Sequence, residues 1–227
     1  MMQKQPLDKL LEAEQKAIEI FNEAEQRNYF IAGQMESELN TKLFQLADEL
    51  FGIQKFWHKR IVRSGANTLF PYKENPTDLL IKEDDILFFD FGPVVEEWEA
   101  DLGRTYVIGN DAAKLKLKND VEEAWHLGKT YFDENCQTIT CADFHTFTKQ
   151  LAEKMGWEFG NEHCGHLIGN FPHENILGDE MVNYFHQDNH TKISDKDILG
   201  NNRYWIYEIH FIDKSKKIGG FFEQLVS

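Results

Sequence analysis

From Pro6 onward, apolar residues at Leu10, Ala13, Ala17, Phe21 and Ala24 recur at helical spacing, with Asp8 as a candidate N-cap, so the chain opens on an amphipathic helix. A second helix is announced by Ser37, carries Leu39, Leu43, Leu46 and Leu50 on one stripe, and ends at Gly52, which suits a left-handed C-cap. Residues 60–63 and a Ser64-Gly65-Ala66-Asn67 turn follow, and the apolar runs 86–91 and 104–109 read as strands. The order then repeats. Leu117, Val121, Ala124, Gly128 and Tyr131 mark a third helix, and Phe144, Phe147, Leu151 and Met155 mark a fourth that stops at Gly156. Strands are expected around 157–159, 204–212 and 220–226, with most of 174–202, rich in Asn, Asp, His and Gly, as loop. Two halves, each of two helices followed by strands ending in a hairpin, predict an α+β fold with approximate internal two-fold symmetry. No low-complexity linker separates them, so residues 1–227 are read as one domain.

Within these strands the polar exceptions are informative. Asp90 and Asp101 lie eleven positions apart, and a hairpin centred between Val95 and Glu96 would set them directly opposite each other. Glu208 and Glu223 lie fifteen apart, with their midpoint in the polar stretch Asp213-Lys214-Ser215-Lys216-Lys217, and the same geometry results. Cross-strand partners of this kind have Cβ atoms roughly 4.5 to 5.5 Å apart. Each pair sits among apolar neighbours, so opposed like charges would also be buried, and a cation or a shared proton is required to offset them. Two divalent ions bridged by carboxylates would satisfy all four acids and activate a water between them. A single acid in a chain with 39 Asp and Glu is best read as a solvated surface charge, but four in two matched hairpins are not.

Of the nine histidines, His58, His126, His145, His186, His190 and His210 have no spacing that ties them to the acids, and are read as surface or capped core residues. His166 differs, because Gly165 and Gly169 allow a tight backbone around it and a neutral imidazole is a good fifth ligand beside oxygen donors.

Composition narrows the partners. The net charge of −15 argues against nucleic acid or an anionic membrane, which need clustered Lys and Arg. No stretch reaches the ~18 apolar residues of a membrane span, and the first eleven residues mix charges with few apolar groups, which makes a cytoplasmic location the expectation. Three cysteines without metal-finger spacing read as reduced thiols.

Taken together these residues resemble the pita-bread metallopeptidases: methionine aminopeptidases, Xaa-Pro peptidases and the non-peptidase creatinases. The likeness covers nearly the whole chain. It rests on Asp90, on Asp101-Leu102-Gly103-Arg104-Thr105 eleven residues later, on Gly165 to Gly169 followed by His173-Glu174, and on Glu208 and Glu223 in the order of the last two ligands. The resemblance implies a curved antiparallel sheet covered by helices. It also implies two divalent ions (Mn, Fe, Co or Zn) held by Asp90, Asp101, His166, Glu208 and Glu223, with Glu208 as proton shuttle and His173 as hydrogen-bond donor to the developing oxyanion. The partner it implies is a small peptide, and a homodimer is allowed.

The chain also departs from that pattern. Tyr72 stands where many active members carry a histidine that contacts substrate; it can donate one hydrogen bond but cannot act as a base near neutral pH. Glu162 occupies the place of a histidine typical of Xaa-Pro peptidases, with His163 one position along. The compact 208–223 hairpin and the end at Ser227 would remove pocket-shaping residues of longer relatives, and the start of the chain resembles the methionine branch. The leading expectation is thus a two-metal aminopeptidase of Xaa-Pro or methionine type. A creatinase-like C–N hydrolase and a catalytically retired binding module are the alternatives.

Overall fold

The computed structural model describes residues 5–172, 181–197 and 199–227. Helix α1 spans Pro6–Gln26 and α2 spans Glu36–Phe51. Both begin slightly earlier than their side-chain signals suggest. Asp8 is not the N-cap of α1; it lies in the first turn and accepts the Gln5 backbone N–H at 3.2 Å. In α2, Glu38 does the same for Met35 at 2.8 Å, while the Ser37 hydroxyl donates to Asp78 at 2.6 Å. A carboxylate in the first turn therefore replaces the hydroxyl cap. The expected stops hold, since Gly52 and Gly156 adopt φ of 66° and 87°, a conformation open to glycine at little cost.

The strands are β1 (Ile61–Ser64), β2 (Ile86–Phe91), β3 (Val94–Val95), β4 (Trp98–Glu99) and β5 (Leu102–Val107). Helices α3 (Ala112–Asn135) and α4 (Cys141–Met155) follow, then β6 (Glu158–Phe159), β7 (Leu167–Ile168), β8 (Tyr204–Asp213) and β9 (Ile218–Leu225). The main sheet runs β1-β2-β5-β9-β8-β6, with β7 paired to β8 off that path. Reading from either edge toward the middle gives β1, β2, β5 and β6, β8, β9. Each half thus brings two helices and three strands in the same order, as the repeated pattern predicts. The described part of the loop region after residue 172 holds a short 3-10 turn, Met181–Asn183, and no strand.

Alternation along the strands sorts the two faces. Leu87, Phe89 and Phe91 of β2 pack with α1 and α2, and Trp205, Tyr207, Ile209 and Phe211 of β8 pack with α3 and α4. The intervening Phe88 and Asp90, and Glu208 and His210, point the other way. Both faces are buried, which is why the sequence shows near-continuous apolar runs rather than clean alternation.

The halves meet where β5 lies against β9, and this join is tied largely by side chains. Gly103 opposite Glu223 is its one registered pair. The Thr105 hydroxyl accepts the Phe221 N–H at 2.6 Å and donates to the Phe221 carbonyl at 2.7 Å. Arg104 donates to the Glu223 carbonyl at 2.8 Å and lays its guanidinium 3.9 Å from the centre of the Phe222 ring.

On the helical face, Gly128 of α3 lies against the fully buried Tyr207, whose hydroxyl meets Thr148 at 3.0 Å. A Cβ at residue 128 would come within 2.2 Å of that ring. Alanine gains up to ~1 kcal/mol of helix propensity over glycine, whereas overpacking a tight core costs about 1–3 kcal/mol. Gly128→Ala is therefore expected to lower the urea midpoint at an unchanged denaturant slope; a raised midpoint would show that Tyr207 yields without cost.

Candidate metal centre

The site forms on the sheet face turned away from the helices, along one row of paired residues. Ile61 faces Asp90, Asp90 faces Gly103, Gly103 faces Glu223, and Glu223 faces Glu208. The Glu208–Glu223 pairing is the one expected from the polar turn at 213–217. The Asp90–Asp101 pairing is not. Asp90 lies opposite Gly103, because the β3–β4 ribbon turns at Glu96-Glu97, both with positive φ, one residue beyond the expected centre. Moving the centre by one residue shifts the register by two, which preserves the face, so Asp101 becomes a diagonal neighbour of Asp90. Gly103 fills the place between Asp90 and Glu223, where a Cβ would come within 2.9 Å of the Glu223 Cβ.

Asp90, Asp101, Glu208 and Glu223 are all buried. His166 reaches them through Nε2, 3.1 Å from Asp101 Oδ2 and 3.7 Å from Glu223 Oε1, while its Nδ1 lies 2.8 Å from the Leu167 carbonyl. Asp101, His166 and Glu223 each offer a donor atom, all within 4.8 Å of one another. A second group with the same property is His58, Asp90 and Asp101. His58, read from the sequence as a surface or core residue, has its side chain buried here, with Nε2 3.1 Å from Asp101 Oδ1 and 3.4 Å from Asp90 Oδ1. The loop before β1 brings it in: the Trp57 N–H donates to the Gly92 carbonyl and its indole N–H to the Ala100 carbonyl, each at 2.9 Å.

His163 is the second addition. Its Nδ1 lies 2.7 Å from Glu208 Oε1, which also accepts the Asn161 side-chain N–H at 3.0 Å. Glu162 instead points outward to Lys73 at 3.6 Å. Tyr72 lies at the rim. Its ring meets His58 edge-on at 5.6 Å, and its hydroxyl accepts the Lys59 N–H at 3.3 Å. Arg63 fixes that loop by donating to the carbonyls of Pro71 and Glu74 at 2.8 Å. His173 lies outside the described residues.

The electrostatics are those of acids crowded without enough positive charge. Burial raises Asp90 to about 7 against an ordinary 3.8; His58 opposes this, and Asp101 and Glu208 reinforce it. Burial and the charges of Asp101 and Asp90 push Glu223 well above the usual carboxylate range. Asp101 is held at about 2, because His58 and His166 outweigh its burial. Glu208 is also lowered, as His163 overcomes burial. Glu223 Oε2 is buried and has no hydrogen-bond partner among the described residues. A hard or borderline cation bound by oxygen and imidazole donors would satisfy that atom and the crowded charge together.

Comparison with known proteins gives the family. A family model described as metallopeptidase family M24 matches residues 8–226. The chain belongs to that family. No curated protein matches it in sequence. Among solved structures, the M24 chain is similar to an Xaa-Pro dipeptidase from Bacillus anthracis, with a TM-score of 0.74 and 19% identity over 100% of this chain and 61% of that one. It is similar to an X-Pro aminopeptidase from Thermotoga maritima (TM-score 0.72, 18% identity, 96% of this chain and 56% of that one). A methionine aminopeptidase from Thermotoga maritima gives a TM-score of 0.69 at 16% identity, over 99% of this chain and 94% of that one. These likenesses establish the pita-bread fold. The M24 chain spans just over half the length of the two proline-directed relatives.

The crowding has a measurable sign. With its pKa raised to about 7, Asp90 stabilises the fold fully only below its ordinary 3.8, and that contribution is lost as pH rises through 7. Protein stripped of metal is therefore expected to melt at a lower temperature at pH 7.5 than at pH 5.5, and Asp90→Asn to remove that component. Added Mn(II) is expected to raise the melting temperature more at pH 7.5, where fewer protons compete with the ion and Asp90 in particular has lost its own. Equal metal effects at both pH values would count against a site built from these groups.

Proposed function

We propose that this M24 protein is a dinuclear-metal peptidase that removes the N-terminal residue from small peptides. The observation that carries this reading is that Asp101 shares one group of close donor atoms with His58 and Asp90 and another with His166 and Glu223, while Glu208 lies opposite Glu223 and Glu223 Oε2 has no hydrogen-bond partner among the described residues. Asp90, Asp101, His166, Glu208 and Glu223 would hold two ions of Mn, Fe, Co or Zn. When bound, the ions supply charge stabilisation at the substrate carbonyl and acidify a water at the centre.

The chain's own residues do the rest. Glu208, whose carboxyl is held below the ordinary range by the neighbouring His163, would take a proton from an attacking water and pass it to the leaving amine. The Asn161 side-chain N–H donates to Oε1 and so helps fix the carboxylate's orientation, while His163 Nδ1 stands 2.7 Å from the same oxygen. His173 is assigned the hydrogen bond to the developing oxyanion, on the sequence pattern alone. Tyr72, at the rim beside His58, would contact substrate as a hydrogen-bond donor, a role that leaves proton transfer to Glu208. Among the described residues no helix is long and apolar enough to cross a membrane.

Tyr72 also favours a second reading, in which the altered rim accepts a small non-peptide C–N substrate or only binds its ligand.

A panel of Xaa-Pro and Met-Xaa dipeptides, with each of the four metals added in turn, separates these readings. The expected result is metal-dependent release of the first residue. Asp101→Asn is expected to lower kcat by more than the roughly 10- to 100-fold typical of losing a residue that only orients a ligand. Metal uptake without turnover of any peptide would reject the peptidase reading in favour of the second one, and turnover unchanged by a chelator would reject a metal mechanism altogether.

A further inference from the structure

We infer that His58 is a sixth metal-binding residue, the imidazole ligand of the ion held by Asp90 and Asp101. The inference rests on the dinuclear reading above and extends it beyond the five residues legible in the sequence.

His58 and His166 are equivalent in everything that prepares an imidazole for a metal. Each places Nδ1 on the carbonyl of the next residue, Lys59 at 2.7 Å and Leu167 at 2.8 Å. In the neutral ring this makes Nδ1 the donor and leaves the Nε2 lone pair facing the acids, the arrangement that fixes tautomer and orientation in ligating histidines. Each Nε2 then lies 3.1 Å from a different oxygen of one carboxylate, His58 at Asp101 Oδ1 and His166 at Asp101 Oδ2. Asp101 thus stands between two clusters of one imidazole and two carboxylates, His58 with Asp90 and His166 with Glu223.

The local chain is shaped to hold that ring. Gly92 lies directly beneath it, and a Cβ there would come within 2.2 Å of His58 Cδ2 and 2.4 Å of Nε2. Trp57 flanks it edge-on at 4.3 Å and lies 5.4 Å from the His166 ring, so one indole braces both imidazoles. An ion held only by Asp90 and Asp101 would have oxygen donors alone and would suit Mn. A nitrogen donor moves that position toward Co and Zn.

The test uses the full chain stripped of metal and titrated with Co(II), read by equilibrium dialysis with metal analysis and by visible absorption. Wild type is expected to take two ions. His58→Ala is expected to weaken one of them by at least ~10- to 100-fold with a changed Co(II) spectrum, and to lose less affinity for Mn(II) than for Co(II). Gly92→Ala, which keeps the imidazole but displaces it, should show the same selective loss. A measurement on the unaltered protein guards against a misfolded variant: on Zn(II) addition, the imidazole 15N resonances of two histidines, His58 and His166, should both move to metal-bound values. Two ions of unchanged affinity in His58→Ala, or a single shifting histidine in wild type, would overturn the inference and leave the dinuclear reading standing. A wild-type protein that takes up no divalent ion would overturn both.

Discussion

Four buried carboxylates, three in one row of the sheet and Asp101 diagonal to Asp90, cannot all be ionised unless positive charge is set among them, and the arrangement of the site follows from that requirement. The row crosses the line where the halves meet, so the acids are brought together only when both hairpins are seated. Gly103 keeps the middle of the row free of a side chain, and the helices on the opposite face press the strands into position. The imidazoles of His58, His163 and His166 meet the acids from two segments, the loop before β1 and the loop before β7, each with a ring nitrogen within 3.1 Å of a carboxylate oxygen.

Most of the architecture was legible because its causes are local. Four helices announced themselves by spacing, and two of them by a terminal glycine. The 208–223 hairpin could be registered to the residue because a charged turn marks its centre. The 90–101 hairpin could not, because it bends between β2 and β3, and its turn uses Glu96 and Glu97 at positive φ where Gly or Asn would have marked the place. The error did no harm to the chemistry, since a shift of two residues keeps a side chain on its face.

His58 was missed for a different reason. It comes from a loop with no periodicity, more than thirty positions before the nearest acid, and only the folded chain lays Trp57 and His58 over the bend at Gly92. The glycine directly after Phe91 was the one available signal, and by itself it marks a close approach without saying of what. His163 was noted only as a displaced neighbour of Glu162. A loop turn of one residue suffices to exchange which of the two side chains faces inward, and no spacing rule encodes that.

The join between β5 and β9 has a further consequence. A continuous backbone ladder holds its strands at a fixed separation, whereas here a hydroxyl, a guanidinium and one registered pair span most of the gap. Side-chain ties of this kind are compliant. The separation of the two acid hairpins is therefore set by the conformations of Arg104 and Thr105 as much as by the backbone, which makes these two side chains determinants of the spacing across the centre.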